Sequence, residues 1–163
     1  MSRSISVARI FIPLLALTSA TAASAAFNPV EFFRGTSHGT GVLKVIFQSP
    51  KTIRVESAGS TAKDGSLILK QVIDEPGKPA RTRYWHMRQD GPGRFVGTLT
   101  DAAGPVRVDV KGDSVRIRYT GQNHLDFDQV LTPAGPREVR NAMRVKRFGI
   151  VVAHFNEVIR KTD

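Results

Sequence analysis

The sequence predicts an all-β protein, a closed antiparallel meander β-barrel of eight to ten strands. Two observations carry this prediction: turn residues recur at short intervals, and apolar and polar residues alternate between the turns. Glycine and proline interrupt strands and helices alike, and the breaks leave segments of roughly 5 to 13 residues, as in an antiparallel sandwich or barrel. The breaks lie at residues 49–50, 63–65, 75–77, 90–93, 103–105, 112–113, 121–123, 133–136 and 148–149.

The segment before the first strand is rich in phenylalanine. Phe27, Val30, Phe32 and Phe33 surround Pro29, which predicts a short helical turn that plugs one end of the barrel. The glycine-rich run 35–41 follows. It lacks the lysine and the strand-loop-helix setting of a phosphate-binding loop, so we expect a flexible or bulged strand at the barrel entrance.

Alternation in the later segments gives each strand one apolar face, which indicates one shared core. Connections this short place sequence neighbours side by side, and a meander loses its exposed edges most simply by closing on itself. The residues predicted to face the core include Trp85, Met87, Val106, Val108, Val110, Val115, Ile117, Tyr119, Leu125, Phe127, Leu131 and Val151.

Residues 136–148 fit two structures. Pro136 suits a first helical residue and Gly149 a helix C-terminal cap, whereas the alternation of Val139, Asn141, Met143 and Val145 with basic residues fits a strand. We favour the strand, because the β-branched run 150–152 could pair with it across a turn at 148–149.

Residues 1–26 have the pattern of a cleavable export signal. Arg3 and Arg9 precede the apolar run 10–17, and small residues follow up to two candidate cleavage sites that end at Ala25 or Ala26. The run contains Pro13 and is shorter than the roughly 20 apolar residues of a membrane-spanning helix. We therefore expect one barrel domain over residues 27–163, soluble in the bacterial periplasm after signal cleavage.

The composition narrows the function. The chain has no cysteine, which excludes disulfides, thiolate metal sites, cysteine nucleophiles and an acylated N-terminal cysteine. Its net charge of +10 favours anionic partners. Outside the cytoplasm these are lipid headgroups and wall polymers, and nucleic acid is disfavoured because no recognition module is present.

Basic residues concentrate after Pro136. On a strand, Arg140, Arg144 and Lys146 share one face and form a basic stripe. This stripe predicts contact with an anionic membrane surface, although basic side chains also protect edge strands from aggregation.

The chain lacks the familiar catalytic motifs, and we expect no catalytic residue, metal or cofactor. His124, Asp126 and Asp128 share one strand face, where they could hold a cation, perform acid–base chemistry, line a polar cavity or form salt bridges. We favour a solvated or salt-bridged face. The other histidines, at positions 38, 86 and 154, have no common spacing.

Several segments together resemble a family of exported bacterial envelope proteins. They are Trp85…Gly91…Phe95-Val-Gly-Thr-Leu-Thr-Asp101, Leu125-Asp-Phe-Asp128, and Asn141…Met143…Lys146-Arg-Phe148-Gly149…Glu157-Val158. This family contains a domain of unknown function, includes many lipoproteins and is thought to have a lipocalin-like barrel. The resemblance implies that fold here but transfers no function. Our candidate ligand-binding residues are Trp85, which could be an aromatic cavity wall or an ordinary core residue, together with Asp101, Asp128 and Asn141.

A lipocalin-like barrel of this size can enclose one small ligand. We therefore expect a non-enzymatic binding or carrier module for a hydrophobic or amphipathic molecule, such as a lipid or a fatty-acid-like compound. A completely filled barrel that uses its basic surface as an envelope interaction factor is the alternative, and a weak hydrolase or isomerase ranks third.

Overall fold

The computed structural model describes residues 27–163, which form one short helix and ten strands. The predicted export signal lies outside these residues. The elements are α1 (Pro29–Phe33), β1 (Gly35–Val45), β2 (Lys51–Thr61), β3 (Leu67–Asp74), β4 (Arg81–Gln89), β5 (Arg94–Leu99), β6 (Val106–Lys111), β7 (Ser114–Thr120), β8 (Asp126–Gly135), β9 (Glu138–Arg147) and β10 (Ile150–Lys161).

The ten strands form a closed barrel in which every strand pairs antiparallel with its sequence neighbours. Closure occurs between β1 and β10, whose register runs from Ser37 opposite Lys161 to Val45 opposite Ala153. The predicted all-β barrel is confirmed, and eight of the nine predicted breaks lie at connections between strands. The break predicted at 133–136 lies mostly within β8, where the register shifts between Pro133 and Gly135. The strand interpretation of residues 136–148 is also confirmed, because β9 pairs with both β8 and β10.

A meander places alternate loops at opposite ends of the barrel. We call one end the mouth; it contains the loops at residues 46–50, 75–80, 100–105, 121–125 and 148–149. The opposite end contains the remaining loops and α1, and we call it the helix end. Within residues 27–163, no helix has the length and hydropathy needed to cross a membrane.

Helix α1 plugs the helix end as predicted. The Asn28 side chain accepts a hydrogen bond from the Val30 amide at 2.9 Å, and Pro29 occupies the start of the helix, where its missing N–H costs nothing. Phe32 and Phe33 are buried in the main core cluster. The helix packs on β2 and β3, with the Phe33 carbonyl directly over Gly59.

The alternation predicted most core residues correctly, and the exceptions have local causes. His124 adopts a φ of 61° in a turn, so β8 begins only at Asp126 and Leu125 is half-exposed rather than inward-facing. Val151 is half-exposed because the register shifts between it and Ala153. The run 35–41 is also not bulged: β1 keeps an uninterrupted register with both neighbours.

Candidate functional site: the barrel cavity

The barrel encloses a cavity of about 150 Å³. Its wall extends from Pro29 and Phe33 at the helix end to Glu75, Arg81 and Asp101 at the mouth. Most of the lining is apolar and comes from β1 to β4 and β7 to β10. This volume is close to the roughly 150 Å³ of a cavity that binds benzene in another protein, so it suits a single ring or a short aliphatic chain.

Gln71 organises the polar part of the wall. Its carbonyl oxygen accepts hydrogen bonds from the Trp85 indole N–H at 2.7 Å and from Arg83 Nε at 2.9 Å. Its amide donates to Ser57 Oγ at 3.2 Å. The Arg83 guanidinium lies 5.3 Å from the centre of the Trp85 ring, and Tyr119 contacts that ring edge-on at 5.9 Å. Trp85 is therefore held rigidly as an aromatic wall.

Three side-chain oxygens in the described part of the chain are buried without a hydrogen-bond partner: Asp101 Oδ1, Asn141 Oδ1 and Glu157 Oε1. All three residues line the cavity. Nearly all buried polar groups in proteins find a partner, so these oxygens leave hydrogen-bonding capacity at the cavity wall.

Glu157 is the most unusual of the three residues, since only 7% of it is exposed. It lies on β10 opposite Asn141, whose amide donates to Glu157 Oε2 at 3.0 Å. Space for the carboxylate comes from Gly39, where any Cβ would collide with it. Burial raises the pKa of Glu157, and the hydrogen bond from Asn141 and the charge of Arg83 only partly oppose that shift.

We expect Glu157→Gln to stabilise the protein at neutral pH by about 1 kcal/mol. The raised pKa means that the folded state holds a proton that the unfolded state releases, so wild-type stability falls as the pH rises from about 4.3, the ordinary pKa of glutamate. Urea unfolding between pH 4 and 8 measures this. Asp113→Asn, at the exposed turn between β6 and β7, is the control. Equal pH profiles for wild type and Glu157→Gln would contradict the burial of an ionisable group.

The structure brings three of the four predicted ligand-binding residues to the cavity. Trp85 and Asn141 point inward from β4 and β9, and Asp101 lies at the mouth, where its other oxygen is 3.1 Å from Arg81. Asp128 is the exception. It does not line the cavity but lies on the outer wall, because Phe127 and Gln129 take the inward positions of β8.

Asp128 is covered by two arginines from neighbouring strands. Arg116 of β7 binds both of its oxygens, at 2.8 and 2.7 Å, and Arg144 of β9 donates to one of them at 3.0 Å. Hydrogen bonds from Arg116 dominate in lowering the pKa of Asp128. For the strand face with His124, Asp126 and Asp128 we favoured salt bridges or solvent exposure. The salt bridges are present at Asp128. Asp126 accepts a hydrogen bond from Thr120 instead.

Asp128→Asn should lower the free energy of unfolding by about 1 kcal/mol at neutral pH, a modest value because both arginines are half-exposed. The pKa of Asp128 is lower in the folded state than in the unfolded state, so its ionisation stabilises the fold. This stabilisation is fully present above a pH of about 3.9, the ordinary pKa of aspartate, and is lost as the pH falls through the folded-state pKa. Wild type and variant should therefore converge in strong acid. Thermal unfolding across pH 2–7 measures the difference. Asp126→Asn is the control, and an equal loss there would mean that the arginine pair has no special role.

The basic stripe is present on the outer wall, but one of its three side chains is already in a salt bridge. Arg140, Arg144 and Lys146 all point outward from β9, yet Arg144 is committed to Asp128. The histidines are scattered: His38 contacts Glu56 at 2.6 Å, and His86 contacts Ser66 at 2.9 Å. Within residues 27–163 no group of three histidine, cysteine, aspartate or glutamate side chains could hold a metal ion.

Sequence reasoning missed Gln71, Arg83, Gln129 and Glu157 as cavity residues. Three of them carried a detectable signal, because each is a polar residue at an inward position of an alternating strand. Gln71 falls between Leu69 and Ile73, and Glu157 falls between Phe155 and Ile159. Arg83 had no such signal, since the residues before Trp85 are polar on both faces.

A family model described as "Protein of unknown function (DUF3833)" matches residues 14–161. The chain belongs to this family. No curated protein sequence matches it.

Three solved structures share the barrel of this DUF3833 protein. An S-type phycobiliprotein lyase, CPES, from Guillardia theta matches with a TM-score of 0.67 and 7% identity, over 82% of this chain and 90% of the lyase. A DUF3598-family protein of unknown function from Nostoc punctiforme has a TM-score of 0.65 and 13% identity, over 88% of this chain and 53% of the Nostoc protein. Rv2717c from M. tuberculosis has a TM-score of 0.59 and 15% identity, over 83% and 99%. At these identities the likeness shows a shared lipocalin-like fold.

Proposed function

We propose that this DUF3833 protein is a small binding or carrier module whose cavity accepts the apolar part of an amphipathic, lipid-like molecule. The observation that carries the proposal is that the unpartnered buried oxygens of Asp101, Asn141 and Glu157 line an otherwise largely apolar cavity. A cavity of about 150 Å³ also favours binding over the completely filled barrel. The proposal assigns no catalytic step and no cofactor.

The unpartnered atoms indicate which polar groups the ligand carries. Asp101 Oδ1 and Asn141 Oδ1 accept hydrogen bonds, so the matching ligand group is a donor such as a hydroxyl, an amine or an amide. Glu157 Oε1 accepts when the carboxyl is ionised and can donate to a ligand hydroxyl when it is protonated. A ligand that left these acceptors unpaired would lose affinity through their desolvation. We place this binding in the bacterial periplasm, in line with the export pattern of residues 1–26.

The test is a titration of the protein with eight-carbon amphiphiles, followed by the fluorescence of Trp85, the only tryptophan. Octanol and octylamine should bind more tightly than octanoate at neutral pH, since only the first two donate hydrogen bonds to the buried oxygens. Val55→Phe, which enlarges an inward side chain of the cavity wall, should weaken binding about tenfold or more. The control is Val42→Phe on the outward face of β1.

A response of Trp85 to none of these amphiphiles would contradict the proposal. Equal binding by wild type and a folded Val55→Phe variant would place the ligand outside the cavity, with the same consequence.

A further inference from the structure

The mouth carries an exposed apolar patch on two adjacent hairpins. The β1–β2 hairpin presents Ile46 and Phe47, and the β9–β10 hairpin presents Phe148 and Ile150. Phe47 is fully exposed, and Phe148 is 86% exposed. The two hairpins are joined by a hydrogen bond from the Ile46 amide to the Val152 carbonyl at 3.0 Å. We call these four side chains the hairpin-tip patch.

Both phenylalanines have an unfavourable backbone conformation. Phe47 has a φ of 61° and Phe148 a φ of 51°, in the left-handed region that favours glycine and asparagine and penalises bulky side chains. Neither ring is buried, so packing within the chain does not offset that strain. Strained, exposed residues of this kind are typical of positions that contact another molecule.

The surrounding charge indicates the partner. Residues 42–52 and 143–155 contain five lysines and arginines and no acidic residue. Lys51 and Arg144 are paired with Glu75 and Asp128, while Arg147 lies 5.4 Å from the centre of the Phe148 ring. Apolar side chains at the tip with basic residues just behind them are the arrangement that binds anionic bilayer interfaces.

We propose that the hairpin-tip patch inserts into the interface of an anionic lipid bilayer, with Lys44, Lys146 and Arg147 at the level of the headgroup phosphates. A protein partner is the less suitable occupant, because four side chains on two turns are far fewer than the 20–30 residues a side of a standard protein interface. The contact shares only Lys146 with the predicted basic stripe, because it lies at the barrel end rather than along the wall. It turns the mouth toward the lipid, and it does not depend on what the cavity binds.

The test places tryptophan at the tip of the full-length chain. Phe47→Trp and Phe148→Trp are mixed with vesicles of phosphatidylglycerol and phosphatidylcholine that carry brominated acyl chains. Their emission should shift to the blue and be quenched, less so at high salt and less so with phosphatidylcholine alone. Tyr84→Trp, an exposed wall position, is the control and should do neither. Trp85 and residues 1–26 are common to all variants, so their contributions cancel.

A second pair of variants measures affinity. Phe47→Asn with Phe148→Asn should keep the fold, since asparagine tolerates positive φ, and should weaken vesicle binding at least about tenfold. Ile68→Thr with Tyr84→Thr removes two exposed side chains from the wall and should bind as wild type does.

Absence of quenching at both tip positions, or unchanged vesicle affinity in the asparagine variant, would overturn the proposal. Self-association of the wild type that the asparagine variant loses would overturn it too, in favour of a second copy of the chain as the occupant. Amphiphile binding read from Trp85 in the wild type is a separate readout, so failure here leaves the cavity proposal standing.

Discussion

Gly59→Ala is expected to lower the free energy of unfolding by about 3 kcal/mol, at the upper end of the cost of overpacking. A Cβ on Gly59 would overlap the carbonyl oxygen of Phe33 and lie 2.9 Å from its carbonyl carbon. Both atoms belong to the backbone, which cannot rotate away as a side chain does. The added methyl group must therefore lift α1 and its two buried phenylalanines off the helix end of the barrel.

Urea unfolding measures this loss. Gly104→Ala is the matched control, because a Cβ there meets nothing within 4 Å and the change should alter stability by no more than about 0.5 kcal/mol. If Gly59→Ala were as stable as Gly104→Ala, α1 would not be seated against β2 as described.

Phe127→Ala should also destabilise the protein by about 3 kcal/mol. The Phe127 ring stacks on Tyr119 with centroids 4.6 Å apart and planes 7° from parallel, and it packs against the main core. We expect the low end of the range for phenylalanine because Phe127 is only half-buried. Phe148→Ala removes the same atoms from an exposed turn and should change stability little.

Thermal unfolding of the two alanine variants separates these cases. A loss below about 1 kcal/mol for Phe127→Ala would mean that β8 has the opposite phase, with Asp126 and Asp128 directed into the barrel.

The barrel could be predicted because its determinants are local. Each hairpin loop carries its own glycine, proline or asparagine signal, and each strand shows its inward face by alternation. Prediction failed where a local irregularity changes the phase. A left-handed His124 delays β8 and leaves Leu125 outside the core. The register shift after Val151 gives the inward position to Ala153.

The site was less predictable because it depends on registers between distant strands. Glu157 meets Asn141 across β9 and β10, and Gly39 of β1 makes room for it; no single segment shows that arrangement. Gln71, Gln129 and Glu157 interrupt inward apolar runs, which identifies them as polar groups inside the barrel. Asp128 was included among the ligand-binding candidates although the alternation that turns Phe127 inward places Asp128 on the outward face of β8.

Native mass spectrometry of the protein recovered from cells tests the central claim most directly. The wild type should carry a non-covalent small molecule or, if it is recovered empty, should acquire one octanol or octylamine per chain on addition. Val55→Phe should carry much less, and Val42→Phe as much as the wild type. A wild-type protein that stays free of bound small molecules in every case would contradict a ligand-binding cavity. So would a folded Val55→Phe variant that retains all of the bound mass.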